Sequence, residues 1–311
     1  MPILSVKNLY KSFSTRTYFW SKPLTFVAVN NISFDLHKGE ILGLLGANGA
    51  GKTTTIQMLL GTLTATSGSI RYFGKDFFSH GPEILQDLGC ASGYDKLPGT
   101  LTVRQNLDIF ARLYGIPHSF REQRISQMLK DFDMADKQDR KTATLSAGQA
   151  TRLLLAKAFL SSPKIALLDE PTASLDPTIA TQVRKYVMQQ AREHGTSVLF
   201  SSHNMEEVTQ VCDRVLVMKS GNIIADNTPK QLAATIKVAH VRLFVTEKKE
   251  QLLQLLRERA LPFTVDEHTV SIEIDEGHIS SLLGALGQQE ISYATISIDK
   301  PTLEDYFLSV S

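Results

Sequence analysis

Eight consecutive residues, Gly46-Ala47-Asn48-Gly49-Ala50-Gly51-Lys52-Thr53, have the types and order needed to grip a chain of phosphates. Successive backbone N–H groups of such a loop wrap phosphate oxygens, and glycine lets the backbone approach without a Cβ in the way. Lys52 supplies a point charge for the β- and γ-phosphates, and Thr53 a hydroxyl for Mg²⁺. A helix starting at Thr54 presents its positive N-terminal end to the anion and brings Thr54 into the same set. With average residue usage such a match arises by chance in roughly one chain of this length in a hundred. An ordinary glycine turn is therefore the weaker reading. A second run, Ile165-Ala166-Leu167-Leu168-Asp169-Glu170, is an apolar strand ending in two carboxylates. Burying it sets Asp169 at the edge of a nucleotide site, where it orders Mg²⁺ and its waters. Glu170, one step further, can hold or deprotonate an attacking water. Alone, this run reads as a strand entering a turn; beside the phosphate loop it reads as the hydrolytic half of a nucleoside-triphosphate site.

The elements that must position these residues follow from periodicity. Ile3, Leu4, Val6 and Leu9 form an apolar edge, and Asn31–Leu36 alternates polar and apolar as a half-buried strand does. Ile41–Leu45 is continuously apolar, suited to a buried parallel strand. The phosphate loop and a helix over Thr54–Leu60 follow, giving the strand–loop–helix context that phosphate binding requires. From about Glu83 to Pro163 the spacing is mostly helical, with helices predicted over Val103–Tyr114 and Phe120–Phe132. Strands return at Lys164–Asp169 and Ser197–Ser202, and Arg214–Ala225 reads as a hairpin turning at Ser220-Gly221-Asn222. After Thr228-Pro229 the pattern predicts strands at Val241–Val245, around Asp266-Glu267-His268 and at Tyr293–Ile298, with helices at Lys248–Arg259 and Ile279–Leu286. This is a separate α+β unit of roughly 80 residues, within the usual domain range.

Three more stretches carry a family resemblance. They are Leu145-Ser146-Ala147-Gly148-Gln149, Ser174-Leu175-Asp176 just after Pro171-Thr172, and Ser201-Ser202-His203 at a strand end. In this order and spacing, together with the phosphate loop and the Asp169-Glu170 strand, residues 1–228 resemble the ATP-binding cassette of an ABC transporter. The resemblance implies an α/β fold. It is a P-loop NTPase (ABC ATPase) with a mixed β core and an inserted helical subdomain at about residues 83–163, and residues 229–311 form a small C-terminal α+β accessory domain. It implies ATP and Mg²⁺ as cofactors, bound by residues 46–54, with Thr53 and Asp169 on the metal. It implies Glu170 and His203 as catalytic residues, His203 contacting the γ-phosphate and ordering Glu170. Phe13 would stack on adenine. Ser146, Gly148 and Gln149 would close on the ATP of an opposite subunit, and Asp176 would communicate across that dimer. The chemistry agrees: Ser146 offers a hydroxyl, Gly148 allows close approach, and a helix beginning near Gln149 aims its dipole at phosphate.

The chain departs from the family pattern twice. Members usually carry a glutamine after a strand like Leu88-Gly89-Cys90-Ala91, which contacts Mg²⁺ and couples the site to the helical insertion. Here the stretch is Ser92-Gly93-Tyr94-Asp95, with Gln86 too early and Gln105 too late. Either Tyr94 or water substitutes and coupling is kept, or the site is slow. The second departure is an insertion, Thr15–Phe26, containing Tyr18-Phe19-Trp20. It leaves Tyr18 as an alternative to Phe13 for stacking.

Bulk properties limit the partners. The chain has 311 residues, 42% hydrophobic content and a net charge of +1, enough for a large core plus a small one. The mixed charge shows no basic field for nucleic acid. Cys90 and Cys212 lie in unrelated contexts, pointing to a reducing cytosol. No run approaches the ~20 apolar residues of a membrane span, and Met1-Pro2-Ile3-Leu4-Ser5 lacks a signal-peptide pattern. The expectation is a peripheral subunit on the cytoplasmic side of the cell membrane. Its partners would be an integral-membrane permease and a second ABC ATPase subunit, in a homodimer or a heterodimer. The ending Pro301–Leu308 resembles the exporter branch that moves drugs, lipids, polysaccharides or ions. Importers more often have glutamine and arginine after the signature, where this chain has Ala150-Thr151-Arg152. The alternative is a soluble ABC ATPase acting on ribosomes or DNA. Ribosome-acting members usually hold two cassettes in one chain, and DNA-acting members show coiled coils or basic surfaces.

Overall fold

The computed structural model describes residues 2–15, 24–93 and 95–310. Tyr18, Phe19 and Trp20 of the insertion, and Tyr94, lie outside the described residues. The chain divides into two compact units, Met1–Thr228 and Pro229–Ser311.

The first unit begins with β1 (Leu4–Thr15), β2 (Leu24–Leu36), β3 (Ile41–Leu45), α1 (Lys52–Leu59), β4 (Ser67–Tyr72), β5 (Lys75–Asp76), α2 (Phe77–Gln86) and β6 (Leu88–Ser92). Three helices follow, α3 (Val103–Leu113), α4 (His118–Asp131) and α5 (Ala147–Phe159). Then come β7 (Ile165–Asp169), α6 (Pro177–His194), β8 (Ser197–Ser202), α7 (Met205–Val211), β9 (Arg214–Lys219) and β10 (Asn222–Asn227). The strands form an antiparallel sheet, β2-β1-β4-β5, and a six-stranded sheet, β10-β9-β3-β8-β7-β6. In the larger sheet all neighbours are parallel except the β9–β10 hairpin. Strands β3, β7 and β8 are buried along their whole length, in keeping with the apolar runs Ile41–Leu45, Ile165–Leu168 and Val198–Phe200 at their centres. Leu4, Val6 and Leu36 of the small sheet share one core with Leu42, Leu44, Ile56 and Leu167 of the large one. That core fixes the loop after β3 from both sides.

The helical insertion is shorter than expected from the periodicity. Within the expected 83–163 span, Leu88–Ser92 is a strand of the central sheet paired with β7, so the inserted helices are α3 to α5. A Cβ on Gly89 would come 2.1 Å from the Ala158 carbonyl oxygen, so α5 lies directly on β6, the strand read at Leu88–Ala91. Helix α3 starts with a capping box between Thr102 and Gln105. Helix α6 has Asp176 at its N-cap, Pro177 behind it, and Gly195 in the left-handed conformation at its C-cap.

The second unit contains α8 (Pro229–Ala233), β11 (Val238–Phe244), α9 (Lys249–Glu258), β12 (Phe263–Asp266), β13 (Thr269–Asp275), α10 (Ile279–Gln288), β14 (Thr295–Asp299) and α11 (Leu303–Val310). Its antiparallel sheet runs β12-β13-β11-β14. From β11 to β14 the order is β-α-β-β-α-β, the ferredoxin-like arrangement. Leu252, Leu256, Leu282 and Leu286 of its helices pack on Val241, Leu243, Val270 and Ile272. This core is separate from that of the first unit.

Candidate functional site

The loop between β3 and α1 takes a shape that only its glycines allow. Gly51 has φ +106° at the N-cap of α1, and a Cβ there would meet the Ala28 carbonyl oxygen at 2.5 Å. A Cβ on Gly46 would meet the Met218 carbonyl oxygen at 2.6 Å. Ala50 is buried, and its carbonyl accepts from Gly221 N at 3.0 Å, so the β9–β10 turn braces the loop. Lys52 is only 5% exposed. Its ammonium donates to the carbonyls of Gly46 (2.6 Å) and Ala47 (3.3 Å) and lies 3.5 Å from Glu170 Oε1. A cavity of about 550 Å³ opens over the loop, lined by Asn48, Gly49, Gly51, Lys52, Thr53 and Thr54, and on its far wall by Asp169 and Glu170. The floor therefore offers helix-end N–H groups, a buried cation and two hydroxyls, the equipment for binding a polyphosphate.

The two carboxylates are held differently. Asp169 is 4% exposed, at the end of β7. Ser201 Oγ donates to its Oδ1 at 2.6 Å and Ser92 Oγ to its Oδ2 at 3.3 Å. Ser92, Asp169 and Ser201 are register partners on β6, β7 and β8, so they form a row across the carboxyl ends of three parallel strands. This is where open α/β sheets place their ligands. The sequence reading missed Ser92 and Ser201; the signal was their position as polar residues ending predicted strands. Glu170 comes next, at φ +50°, a left-handed conformation uncommon for a residue with a side chain. Its N–H donates to the carbonyl oxygen and Oγ of Ser201, at 3.2 and 3.0 Å. Such strain persists where the surroundings over-determine it, and it clusters at functional sites. His203 Nδ1 lies 3.1 Å from Glu170 Oε1. The structure thus brings Glu170 and His203 together, with Glu170 Oε1 shared between His203 and Lys52.

The signature residues are elsewhere. None of Leu145–Gln149 lines the cavity, and Ser146 is exposed. The helix they open begins at Ala147, earlier than the expected start near Gln149, because Ser146 is its N-cap. Gln149 N donates to Ser146 Oγ (3.3 Å) and Ser146 N to Gln149 Oε1 (3.1 Å), a reciprocal capping box. The serine hydroxyl accepts in that bond and keeps its proton to donate. Gly148 sits in the first turn, where a Cβ would meet the Ser174 carbonyl oxygen at 3.4 Å. The Asp176 carboxylate accepts from Thr178 N and Ile179 N, both at 3.1 Å, and so caps α6.

Two further findings concern the cavity rim. Gly93 lines it, and nothing lies within 4 Å of where its Cβ would be, so the stretch that lacks glutamine borders the site. Two residues on, Asp95 pairs with the buried Lys157 of α5 at 2.9 Å, and Lys157 also lies 5.4 Å from the Phe110 ring centroid on α3. The stretch after β6 that bears Gly93 is thereby linked to the signature helix. Burial pushes the Cys90 thiol up, and pushes Tyr114 up to about 12. On the small sheet, Phe13 pairs in register with Phe26 across β1 and β2, so both rings share a face. Phe26, not Phe13, lines the cavity, and it is 62% exposed. Phe13 instead lies under the Lys11 ammonium, 5.0 Å from its ring centroid. Phe26 escaped the sequence reading because it closes the insertion and declares its place only through the β1–β2 register.

Similarity to known proteins agrees with this geometry. Residues 29–173 match the family model described as ABC transporter. The chain is 30% identical over 316 aligned positions to the linearmycin resistance ATP-binding protein LnrL of Bacillus subtilis, covering 99% of this chain and 98% of that protein. It is 33% identical to the Nod factor export ATP-binding protein I of Ralstonia nicotianae, over 74% of this chain and 68% of that one. Among solved structures, a dimeric ATP-binding cassette with ADP and Pi bound superposes with a TM-score of 0.66 at 21% identity, over 72% of this chain and 98% of that one. That likeness is one of fold. A cavity floored by a glycine-shaped phosphate loop and walled by Asp169 and Glu170, within a full-length match of this kind, identifies the chain as a member of the ABC transporter family, an ATP-binding subunit that hydrolyses ATP.

Proposed function

We propose that this subunit powers a separate integral-membrane permease, for export, from the cytoplasmic side of the membrane. Two cassettes would close head to tail, each ATP lying between the phosphate loop of one and the signature of the other. The observation that carries the reading is the separation of the two motifs: Ser146 is exposed and outside the cavity that holds Lys52 and Thr53. A hydroxyl and a helix N-terminus presented outward have an anion to meet only on another molecule. The names of the relatives, Nod factor export and linearmycin resistance, favour export, and the related cassette was solved as a dimer. Among the described residues no helix is long and apolar enough to cross a membrane, in keeping with a partner that does.

In this reading the N–H groups of residues 48–53 and the Lys52 ammonium bind the β- and γ-phosphates. Thr53 and Asp169 would hold Mg²⁺, which when bound neutralises charge on the transferring phosphoryl group. The donor set suits it: Mg²⁺ takes one or two protein oxygens and completes its shell with water and phosphate. Glu170 orients and deprotonates the attacking water, and His203 fixes the Glu170 carboxylate. For adenine, the cavity position of Phe26 favours it over Phe13 as the stacking ring. Base stacking is worth about 1–3 kcal/mol, so Phe26→Ala is expected to weaken ATP binding at least about fivefold, with a smaller effect from Phe13→Ala. Titration with a fluorescent ATP analogue measures both, and the reverse order returns the role to Phe13.

The permease reading is checked by detergent extraction with a tag on this chain. A stoichiometric integral-membrane protein in the eluate is the expected result. Recovery of ribosomes or DNA in its place would overturn the transport assignment in favour of a soluble ABC ATPase.

A further inference from the structure

Behind the Glu170–His203 pair lies a buried carboxylate that hydrolysis does not itself use. Glu207, on α7, is 6% exposed. Thr172 Oγ1 donates to its Oε1, and Ser202 Oγ donates to its Oε2 at 2.8 Å. Arg184 Nη1 of α6 stands 3.5 Å from Oε1. The Glu207 backbone N–H donates to Asn204 Oδ1 at 3.0 Å, which seats Glu207 in the first turn of α7. Thr172 follows Glu170 by two residues, and Ser202 immediately precedes His203. One carboxylate therefore grips both loops that carry the reacting pair.

Burying a carboxylate is costly, and the position near a helix N-terminus offsets only part of that cost. Packing alone would be served by an apolar residue. What an apolar residue cannot do is accept two hydroxyl protons from two loops at once. Glutamine cannot do it either, since one of its two polar atoms is a donor. Ser202 Oγ already accepts from Asn204 N at 3.0 Å, so its proton is the group left to bond Glu207.

We propose that Glu207 is a positioning residue for ATP hydrolysis: it holds the Glu170 loop and the His203 loop in register through Thr172 and Ser202. The proposal rests on the reading of Glu170 and His203 given above. The two loops meet through Glu170 Oε1 and His203 Nδ1 at 3.1 Å. A shift of about 1 Å at such a contact costs up to about 100-fold in rate.

The test is steady-state ATPase of the full chain, assayed with its membrane partner where the free subunit is silent, for Glu207→Gln, Thr172→Val, Ser202→Ala and Glu170→Gln. Expected is a fall in kcat of about 10- to 100-fold for Glu207→Gln with KM for ATP within about twofold, a split that general loss of structure would not give. Thr172→Val should add little on top of Glu207→Gln, because the two share one bond. Unchanged kcat in Glu207→Gln, or losses that simply add, would overturn the proposal. If Glu207→Gln fails to fold, the Thr172→Val/Ser202→Ala double variant, which keeps the carboxylate and Arg184, decides by the same criterion. Hydrolysis persisting in Glu170→Gln would sink the reading of Glu170 itself. A dead Glu170→Gln beside a fully active Glu207→Gln sinks only the positioning role.

Discussion

Glu170→Gln is expected to stop turnover and leave ATP bound. The substitution removes the only function the proposed mechanism gives this side chain, activation of water, and positioned bases contribute about 10²- to 10⁴-fold. Glutamine has nearly the same shape and leaves an amide in the place of the carboxylate that lies 3.1 Å from His203 Nδ1. The left-handed backbone at Glu170 is set by its bonds to Ser201 and is untouched by the change. Binding should not weaken, because a negative charge beside the phosphates is removed. With hydrolysis blocked, ATP and Mg²⁺ should therefore accumulate a closed dimer. Light scattering after gel filtration, with and without ATP, reads this directly. A monomer with ATP bound would mean that the head-to-tail sandwich is wrong or that the partner is a different cassette. Fast hydrolysis by the variant would remove Glu170 from the chemistry.

The second large effect is expected at Lys52. Its ammonium is the buried cation on the cavity floor, and it also ties the Gly46 and Ala47 carbonyls together. Hydrogen bonds to charged groups contribute about 1.5–3 kcal/mol each, so Lys52→Ala should weaken ATP binding by roughly 10- to 100-fold or more. Isothermal titration gives the affinity. The melting temperature without nucleotide tells whether the loop has lost its shape or only its charge. Arginine is no substitute, since its broad planar fork does not fit a site built for a compact point charge. An affinity close to wild type in Lys52→Ala would contradict the phosphate-loop assignment.

Much of this site is legible in the sequence, and what is not legible has a physical pattern. Ile41–Leu45 and Ser197–Ser202 were expected as strands and are β3 and β8 with the same bounds. The first is continuously apolar and the second has an apolar centre at Val198–Phe200, as strands buried on both faces require. The long helix α6, by contrast, was not anticipated: it buries only Ala180, Val183, Val187, Gln190 and Ala191 among many polar residues. Its Asp176-Pro177 start is a capping signal that could have been used. The site residues that were missed are Phe26, Ser92, Ser201 and Glu207; Ser92 and Ser201 stand in stretches already quoted, but nothing local gives any of the four a role. Each gains its meaning from a partner far along the chain: Phe26 through Phe13, the serines through Asp169, Glu207 through Thr172. Register between strands creates the first two of those pairings and packing of helix α7 on a loop the third, and local sequence encodes neither. The motif residues were legible because their chemistry is local: a loop shaped by its own glycines, a strand carrying its own carboxylates.

The capping box between Ser146 and Gln149 bears on association as well as on helix α5. A surface loop that must become ordered to meet a partner loses conformational entropy at that moment, on the order of 0.5–1.5 kcal/mol for each side chain immobilised. Here the backbone of the signature turn is already closed by bonds within its own chain, at 3.3 and 3.1 Å. The ordering is complete when the subunit folds. What remains for an incoming nucleotide is a preset pair of groups, the Ser146 proton and the first-turn N–H groups. The same four residues thus make the face that would meet a second subunit a preset template, so that closure, as proposed above, would depend on ATP itself and little on rearranging the signature.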